Sequence, residues 1–177
     1  MDFNDTAEEA KFRKEAYEWL KANADLKEGP KDGWRASSEE EGLEQVKVWQ
    51  NKLYESGWAC MHWPKEFGGR ESTPIERVIW GQEISKFKVP GGYLEIGQGM
   101  AGPVMMMYAT EEQKARHLPP MAKGEEIWCQ LFSEPGAGSD LAGLKTKSVL
   151  EGDTWTINGQ KIWTSGAHFS DWGILVT

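Results

Sequence analysis

The sequence predicts an α+β protein: an all-α helical domain over residues 1–124, then an antiparallel β-sheet or barrel domain over residues 125–177. Apolar residues recur at helical spacing from Thr6 to about residue 120. Capping signals punctuate that stretch at Ser38-Glu39-Glu40-Glu41, Thr73-Pro74-Ile75-Glu76 and Thr110-Glu111-Glu112-Gln113. After Gly124 the rhythm shortens to brief apolar runs, split by the hairpin-like Glu151-Gly152-Asp153 and Asn158-Gly159. Helices first and strands afterwards indicate segregated elements, with the boundary near Lys123-Gly124.

Each element has its own signal. Thr6 to Ala24 places Phe12, Ala16, Trp19 and Leu20 on one helical face. Ser38 opens a second helix carrying Leu43, Val46, Trp49 and Leu53, and Gly57 ends it at the C′ position. Thr73 caps a third, with Pro74 in the first helical position, running through Val78, Ile79 and Ile84. Gly97 to Tyr108 is apolar on nearly every side and reads as a buried helix. Its methionines, and Tyr93 to Ile96 before them, stay open between core and the lining of an adaptable ligand cavity. Thr110 opens a short helix that ends before Pro119-Pro120. Strands are predicted at Ile127–Phe132, Leu144–Leu150, Thr154–Ile157, Ile162–Ser165 and Trp172–Val176. The last reads as a strand that pairs with sequence further along, or with another chain.

A chain of 177 residues with 27% charged and 11% aromatic residues is a folded protein, not a disordered tail. Its ten tryptophans read as core. A net charge of −8 argues against nonspecific nucleic-acid binding, yet local backbone donors still permit an anionic ligand. Cys60, Cys129, His62, His117 and His168 lack metal-ligand spacing, so no metal is expected. The acidic, polar start Met1-Asp2-Phe3-Asn4-Asp5 is not a secretion signal, and no apolar stretch suits a membrane span. A cytoplasmic location is expected.

Two stretches carry the chemistry: Leu131-Phe132-Ser133-Glu134-Pro135-Gly136-Ala137-Gly138-Ser139-Asp140, and Asn158-Gly159-Gln160-Lys161-Ile162-Trp163-Thr164-Ser165. Gly136-Ala137-Gly138 fails as a dinucleotide fingerprint, because Leu141 stands where the third glycine belongs and strands follow. There is no P-loop, and Ser139 is not in a G-x-S-x-G elbow. The loop has two readings. It is a solvent loop joining strands, or a cradle whose glycines let backbone N–H groups approach a pyrophosphate, with Ser139 adding a hydroxyl. Ser133 is placed to reach the polar edge of a flat ring. Trp163 is a core aromatic, or a platform covering such a ring.

Together with Leu144-Lys145-Thr146, these residues resemble the signature of the acyl-CoA dehydrogenase family. Gly57-Trp58 and Trp63-Pro64-Lys65-Glu66-Phe67-Gly68-Gly69 are similar to its first domain, so the resemblance runs from about residue 8 to the end. It implies a helical domain and a middle β domain, with the family's C-terminal helical bundle absent. It implies an FAD-dependent oxidoreductase of fatty acid metabolism acting on the CH–CH bond of an acyl-CoA thioester. A carboxylate takes the α-proton, the β-hydrogen leaves as hydride to FAD, and electrons pass to an electron-transfer flavoprotein.

Residue by residue, the resemblance lays Gln130, Leu131, Phe132 and Ser133 along the flavin, and Gly138 and Ser139 against phosphate. Ser139 also lies near the CoA substrate. Trp163, Thr164 and Ser165 cover the isoalloxazine. Many members carry tyrosine where this chain has Gln130, and often threonine at Ser133. The catalytic carboxylate belongs to the missing domain, so none is assigned here; Glu134 is a motif residue and not the base. The isolated chain is accordingly expected to hold FAD poorly and to be inactive. Three readings stay open: part of a complete dehydrogenase, an FAD-binding subunit of a heteromeric one, or a stand-alone CoA- or partner-binding protein.

Overall fold

A computed structural model describes residues 4–177. In order, its helices are α1 (Ala7–Asn23), α2 (Glu39–Glu55), α3 (Pro74–Ile84), α4 (Gly102–Tyr108) and α5 (Glu111–Lys123). Its strands are β1 (Trp128–Leu131), β2 (Lys147–Glu151), β3 (Thr154–Asn158) and β4 (Trp172–Leu175). They form two compact units: residues up to Gly92 together with Ala115–Glu125, and Tyr93–Lys114 together with Glu126–Thr177.

Local chemistry starts and stops the helices of the first unit. Thr6 and Glu9, and Thr73 and Glu76, form reciprocal capping boxes. At α2 the box is one-sided. Ser38 accepts from the Glu41 N–H at 3.2 Å, but the Glu41 carboxylate turns to the N–H and hydroxyl of Ser37. Gly57 sits at φ 70°, with its N–H donating to the Tyr54 carbonyl and the Trp58 N–H to the Leu53 carbonyl. That paired pattern is the Schellman stop, and it turns Trp58 into the core.

The core gathers Phe12, Ala16 and Leu20 of α1, Val46, Trp49 and Leu53 of α2, and Ile79 of α3 around Trp58 and Trp63. Tryptophan is less of a core residue overall than expected: Trp49, Trp58 and Trp63 are buried, while Trp155, Trp163 and Trp172 are exposed. Helices α1 and α3 are also joined by charge. Glu83 is 1% exposed and accepts from Arg13 at 2.8 Å and Lys86 at 2.6 Å. Burial alone would raise its carboxyl pKa; Lys86 and Arg13 outweigh that and hold it below the usual range.

Helix α5 does not end before Pro119-Pro120 but runs through them to Lys123. The prolines forfeit two intrahelical donors. Tertiary packing offsets this: Leu118, Met121 and Ala122 are fully buried, and Gln50 donates to the Ala122 carbonyl at 2.7 Å.

In the second unit, a π turn over Gly97–Ala101 leads into α4. The predicted buried helix is a correction here. Its small residues Gly97, Ala101 and Gly102 are buried, whereas Val104, Met107 and Tyr108 are exposed. Strands β1 and β4 pair in parallel, Trp128 opposite Trp172 through Leu131 opposite Leu175. Strands β2 and β3 pair antiparallel, Glu151 opposite Thr154, across the turn Gly152-Asp153. The described residues thus form two separate two-stranded sheets, one of them parallel, and no closed barrel. Asn158-Gly159 turns no hairpin, since no strand follows it directly; the chain there runs so close to Thr146 that a Cβ on Gly159 would lie 2.6 Å from the Thr146 Cβ. Ile162–Ser165 is irregular and not a strand. Among the described residues no helix is long and apolar enough to cross a membrane.

Candidate functional site

Strand β1 delivers Phe132, Ser133 and Glu134 to its C-terminal end. Glu134 and Ala137 exchange backbone hydrogen bonds at 2.8 and 3.1 Å, closing a tight turn over Pro135-Gly136. The Glu134 carboxylate folds inward, its side chain 5% exposed, and accepts from the Lys145 N–H at 2.6 Å, the Thr146 N–H at 2.9 Å and Lys161 Nζ at 2.9 Å. Lys161 Nζ also donates to the Phe132 carbonyl at 2.9 Å, and the Ile162 N–H to the Ser133 carbonyl at 2.9 Å. The Thr146 hydroxyl, the Lys145 amide and the Lys161 ammonium, against the opposing effect of burial, hold the Glu134 carboxyl at about 2.

That network sets an acid-stability prediction. The folded-state pKa lies below the ordinary 4.5, so the contribution is present at neutral pH and is lost as pH falls from 4.5 to about 2. The difference in melting temperature between the wild type and Glu134→Gln is expected to be largest near neutrality and to shrink through that window. A difference independent of pH would show that the charge of Glu134 contributes nothing.

Beside this network is a cavity of about 210 Å³ lined by Ile96, Gln130, Phe132, Ser133, Trp163 and Ser165. Five of the nine predicted site residues therefore meet around one space. Ile96, left open between core and cavity in the sequence, joins them. A larger hollow of about 660 Å³ in the helical unit, between Trp34, Trp49 and Lys52, holds none of them.

The remaining predicted residues lie elsewhere. Leu131 lies beside Gly173 of β4, and its carbonyl accepts from the Val176 N–H at 3.3 Å. Thr164 is half-buried, its carbonyl accepting from the Ala167 N–H at 3.3 Å. Gly138 and Ser139 are on an exposed loop. Neither Gly136 nor Gly138 has a positive φ, and a Cβ on either would meet nothing within 4 Å. The fold itself does not require glycine at those two positions. The Ala137 N–H, in contrast, is already used in the turn.

Trp163 is not a core residue. It is 86% exposed and has φ 56°. A bulky side chain in the left-handed region costs about 1–2 kcal/mol, and such strain collects at functional sites. The residues around the cavity thus include two serines, an amide side chain and an indole, at Ser133, Ser165, Gln130 and Trp163. This donor set fits a flat conjugated ring with polar atoms on its edge. Glu134 and Lys161 stand within the two motif stretches, but nothing in the sequence signals that the two side chains pair.

Residues 6–125 match the family model "Acyl-CoA dehydrogenase, N-terminal domain", and residues 129–177 match "Acyl-CoA dehydrogenase, middle domain". The chain is 42% identical over 134 residues to acyl-CoA dehydrogenase IpdE1 of Mycobacterium tuberculosis, covering 76% of this chain and 35% of that protein. It is 33% identical over 172 residues to the short-chain specific acyl-CoA dehydrogenase of Clostridium acetobutylicum, covering 97% of this chain and 43% of that protein. The structure resembles a chain of the ChsE4-ChsE5 complex from Mycobacterium tuberculosis, with a TM-score of 0.70, 30% identity, and coverage of 99% of this chain and 43% of that one. The chain thus spans less than half the length of these relatives. Two family models matching in their order along almost all of the sequence leave one assignment: the chain belongs to the acyl-CoA dehydrogenase family.

Proposed function

We propose that this chain supplies the N-terminal and middle-domain part of the flavin and substrate site of an acyl-CoA dehydrogenase, which oxidises the α,β CH–CH bond of an acyl-CoA thioester. The observation that carries this reading is the solvent-exposed, left-handed Trp163 beside a cavity that also presents Ser133, Gln130 and Ser165. FAD, when bound, supplies the hydride acceptor. Trp163 covers one face of the ring and excludes water from it. The Ser133 hydroxyl and the backbone at Phe132 orient the polar edge, with Gln130, Leu131, Thr164 and Ser165 completing the contact. Gly138 and Ser139 take phosphate on the exposed loop, and Ser139 also meets the CoA ligand.

No residue here is assigned the α-proton. Glu134 is fully engaged by inward-facing donors and stays ionised through neutral pH, so it has no free oxygen to offer a substrate. The base comes from outside this chain's residues, and an electron-transfer flavoprotein is the proposed acceptor of electrons. The family domains are proposed to divide at 124/125, with Tyr93–Lys114 in the same compact unit as the strands. A heteromeric enzyme, with a companion subunit supplying the base, is the second reading; likeness to a chain of the ChsE4-ChsE5 complex favours it. Two buried, unpaired cysteines, Cys60 and Cys129, suit a reducing compartment, and the cytoplasm is the proposed location.

The test is flavin retention. The purified chain is loaded with FAD, freed of excess, and its visible spectrum recorded. Gly138→Ala is expected to leave stability unchanged or raise it by about 0.4–1 kcal/mol, since the position is open and unstrained. The same change is expected to reduce flavin retention. A Gly138→Ala chain that retains flavin as the wild type does would remove the loop from the site. Turnover of an acyl-CoA by the 177-residue chain alone would overturn the absence of a base.

A further inference from the structure

Apart from Ile96, the cavity walls come from two stretches, Gln130–Ser133 and Trp163–Ser165, that share no strand ladder. What joins them is a set of bonds between three consecutive residues on one side and two on the other. Lys161 Nζ holds the Phe132 carbonyl, the Ile162 N–H holds the Ser133 carbonyl, and Lys161 Nζ holds the Glu134 carboxylate, each at 2.9 Å. Ser133 is the middle member of the first set, and Trp163 follows the second directly. Glu134 extends the anchorage to the Lys145 and Thr146 amides at 2.6 and 2.9 Å.

We infer that Lys161 is a positioning residue: acting with Glu134, it sets the separation of Ser133 from Trp163, and so the width of the slot that receives a planar conjugated ring. The identity of the ring as a flavin rests on the function proposed above; the positioning role does not. Both side chains are almost wholly buried, at 9% and 5% exposure. A buried ion pair is a poor source of net stability compared with apolar side chains of similar volume, while its directional bonds fix registry. Here every hydrogen bond of the pair, apart from the one within it, ends on a backbone amide or carbonyl, so it acts on the course of the chain. A slot loosened by an ångström loses most of its complementarity to a rigid ring.

The experiment uses the 177-residue chain and its Lys161→Met, Lys161→Arg and Glu134→Gln variants. Two quantities are read: exchange of the Ile162 amide without ligand, and the FAD dissociation constant with the visible flavin band. Lys161→Met is expected to speed Ile162 exchange at least about tenfold, with the amides of α1 to α3 unchanged, and to weaken FAD at least about tenfold with a shifted band. Lys161→Arg restores most of both. Unaltered Ile162 exchange in Lys161→Met overturns the inference, as does wild-type FAD binding in a chain whose Ile162 amide has lost protection. If Lys161→Met fails to fold, the near-isosteric Glu134→Gln carries the same two readings. If the wild type retains no FAD, the exchange measurement alone decides the positioning role.

Discussion

Trp163→Gly is expected to remove most flavin retention while leaving the stability of the chain within about 1 kcal/mol of wild type. The two effects separate because the indole is 86% exposed and its backbone has φ 56°. Deleting an exposed ring forfeits little burial. Glycine also relieves about 1–2 kcal/mol of left-handed strain, offset by about 0.5–1 kcal/mol of added freedom in the unfolded chain. Binding is another matter. Covering roughly 100 Å² of indole with a conjugated ring is worth about 2–3 kcal/mol, so its loss weakens binding roughly 30- to 150-fold. Urea unfolding and flavin titration on the same preparation check both halves. A large fall in stability would make Trp163 structural, and undiminished binding would remove it from the site.

What was legible in the sequence was local. Thr73-Pro74-Ile75-Glu76 and Gly57 act within a turn of themselves, and the helix start and stop they signal are both present. The hairpin across Gly152-Asp153 is equally local. Failures came where a distant segment decides. Gln50 holds α5 through two prolines from 72 residues away. Asn158-Gly159 ends the β2–β3 ladder beside Thr146, and no strand follows directly to complete the hairpin it signals. The β1–β4 ladder joins strands 44 residues apart in parallel, a pairing that hairpin signals cannot report. The site shows the same division. Its motif residues were legible as a group, and Gln130, Phe132, Ser133, Trp163 and Ser165 do converge. The Glu134–Lys161 contact that spaces them lies 27 residues apart in sequence and is visible only once the chain is folded. Gly97–Tyr108 marks another limit: apolar composition records that a surface is to be covered, not by what.

The largest stability effect is expected at Trp58. Trp58→Ala is expected to cost about 3–5 kcal/mol, through lost transfer energy and the cavity left behind. The residue is 3% exposed and sits at the centre of an aromatic cluster. Its ring stacks on Trp80 at 4.7 Å between centroids, and tilts against Phe12 at 5.7 Å and Trp19 at 6.0 Å. The Arg70 guanidinium lies 3.8 Å from its centroid and is held there by Glu15 and the Gly57 carbonyl. Truncation therefore also removes aromatic and cation–π terms worth about 0.5–1.5 kcal/mol each. Small domains hold only about 5–15 kcal/mol in all, so this one substitution brings the helical unit close to its limit. Trp155→Ala is the control: 59% exposed, it is expected to shift stability by no more than about 0.5 kcal/mol. Trp58→Phe keeps a ring against Trp80 but vacates the outer part of the indole, and is expected to fall between the two. Urea midpoints at constant slope rank the three variants. A Trp58→Ala cost near that of Trp155→Ala would mean the cluster yields and repacks when its central ring is removed, and that α1, α2 and α3 are held chiefly by their aliphatic contacts and by the Arg13–Glu83 pair.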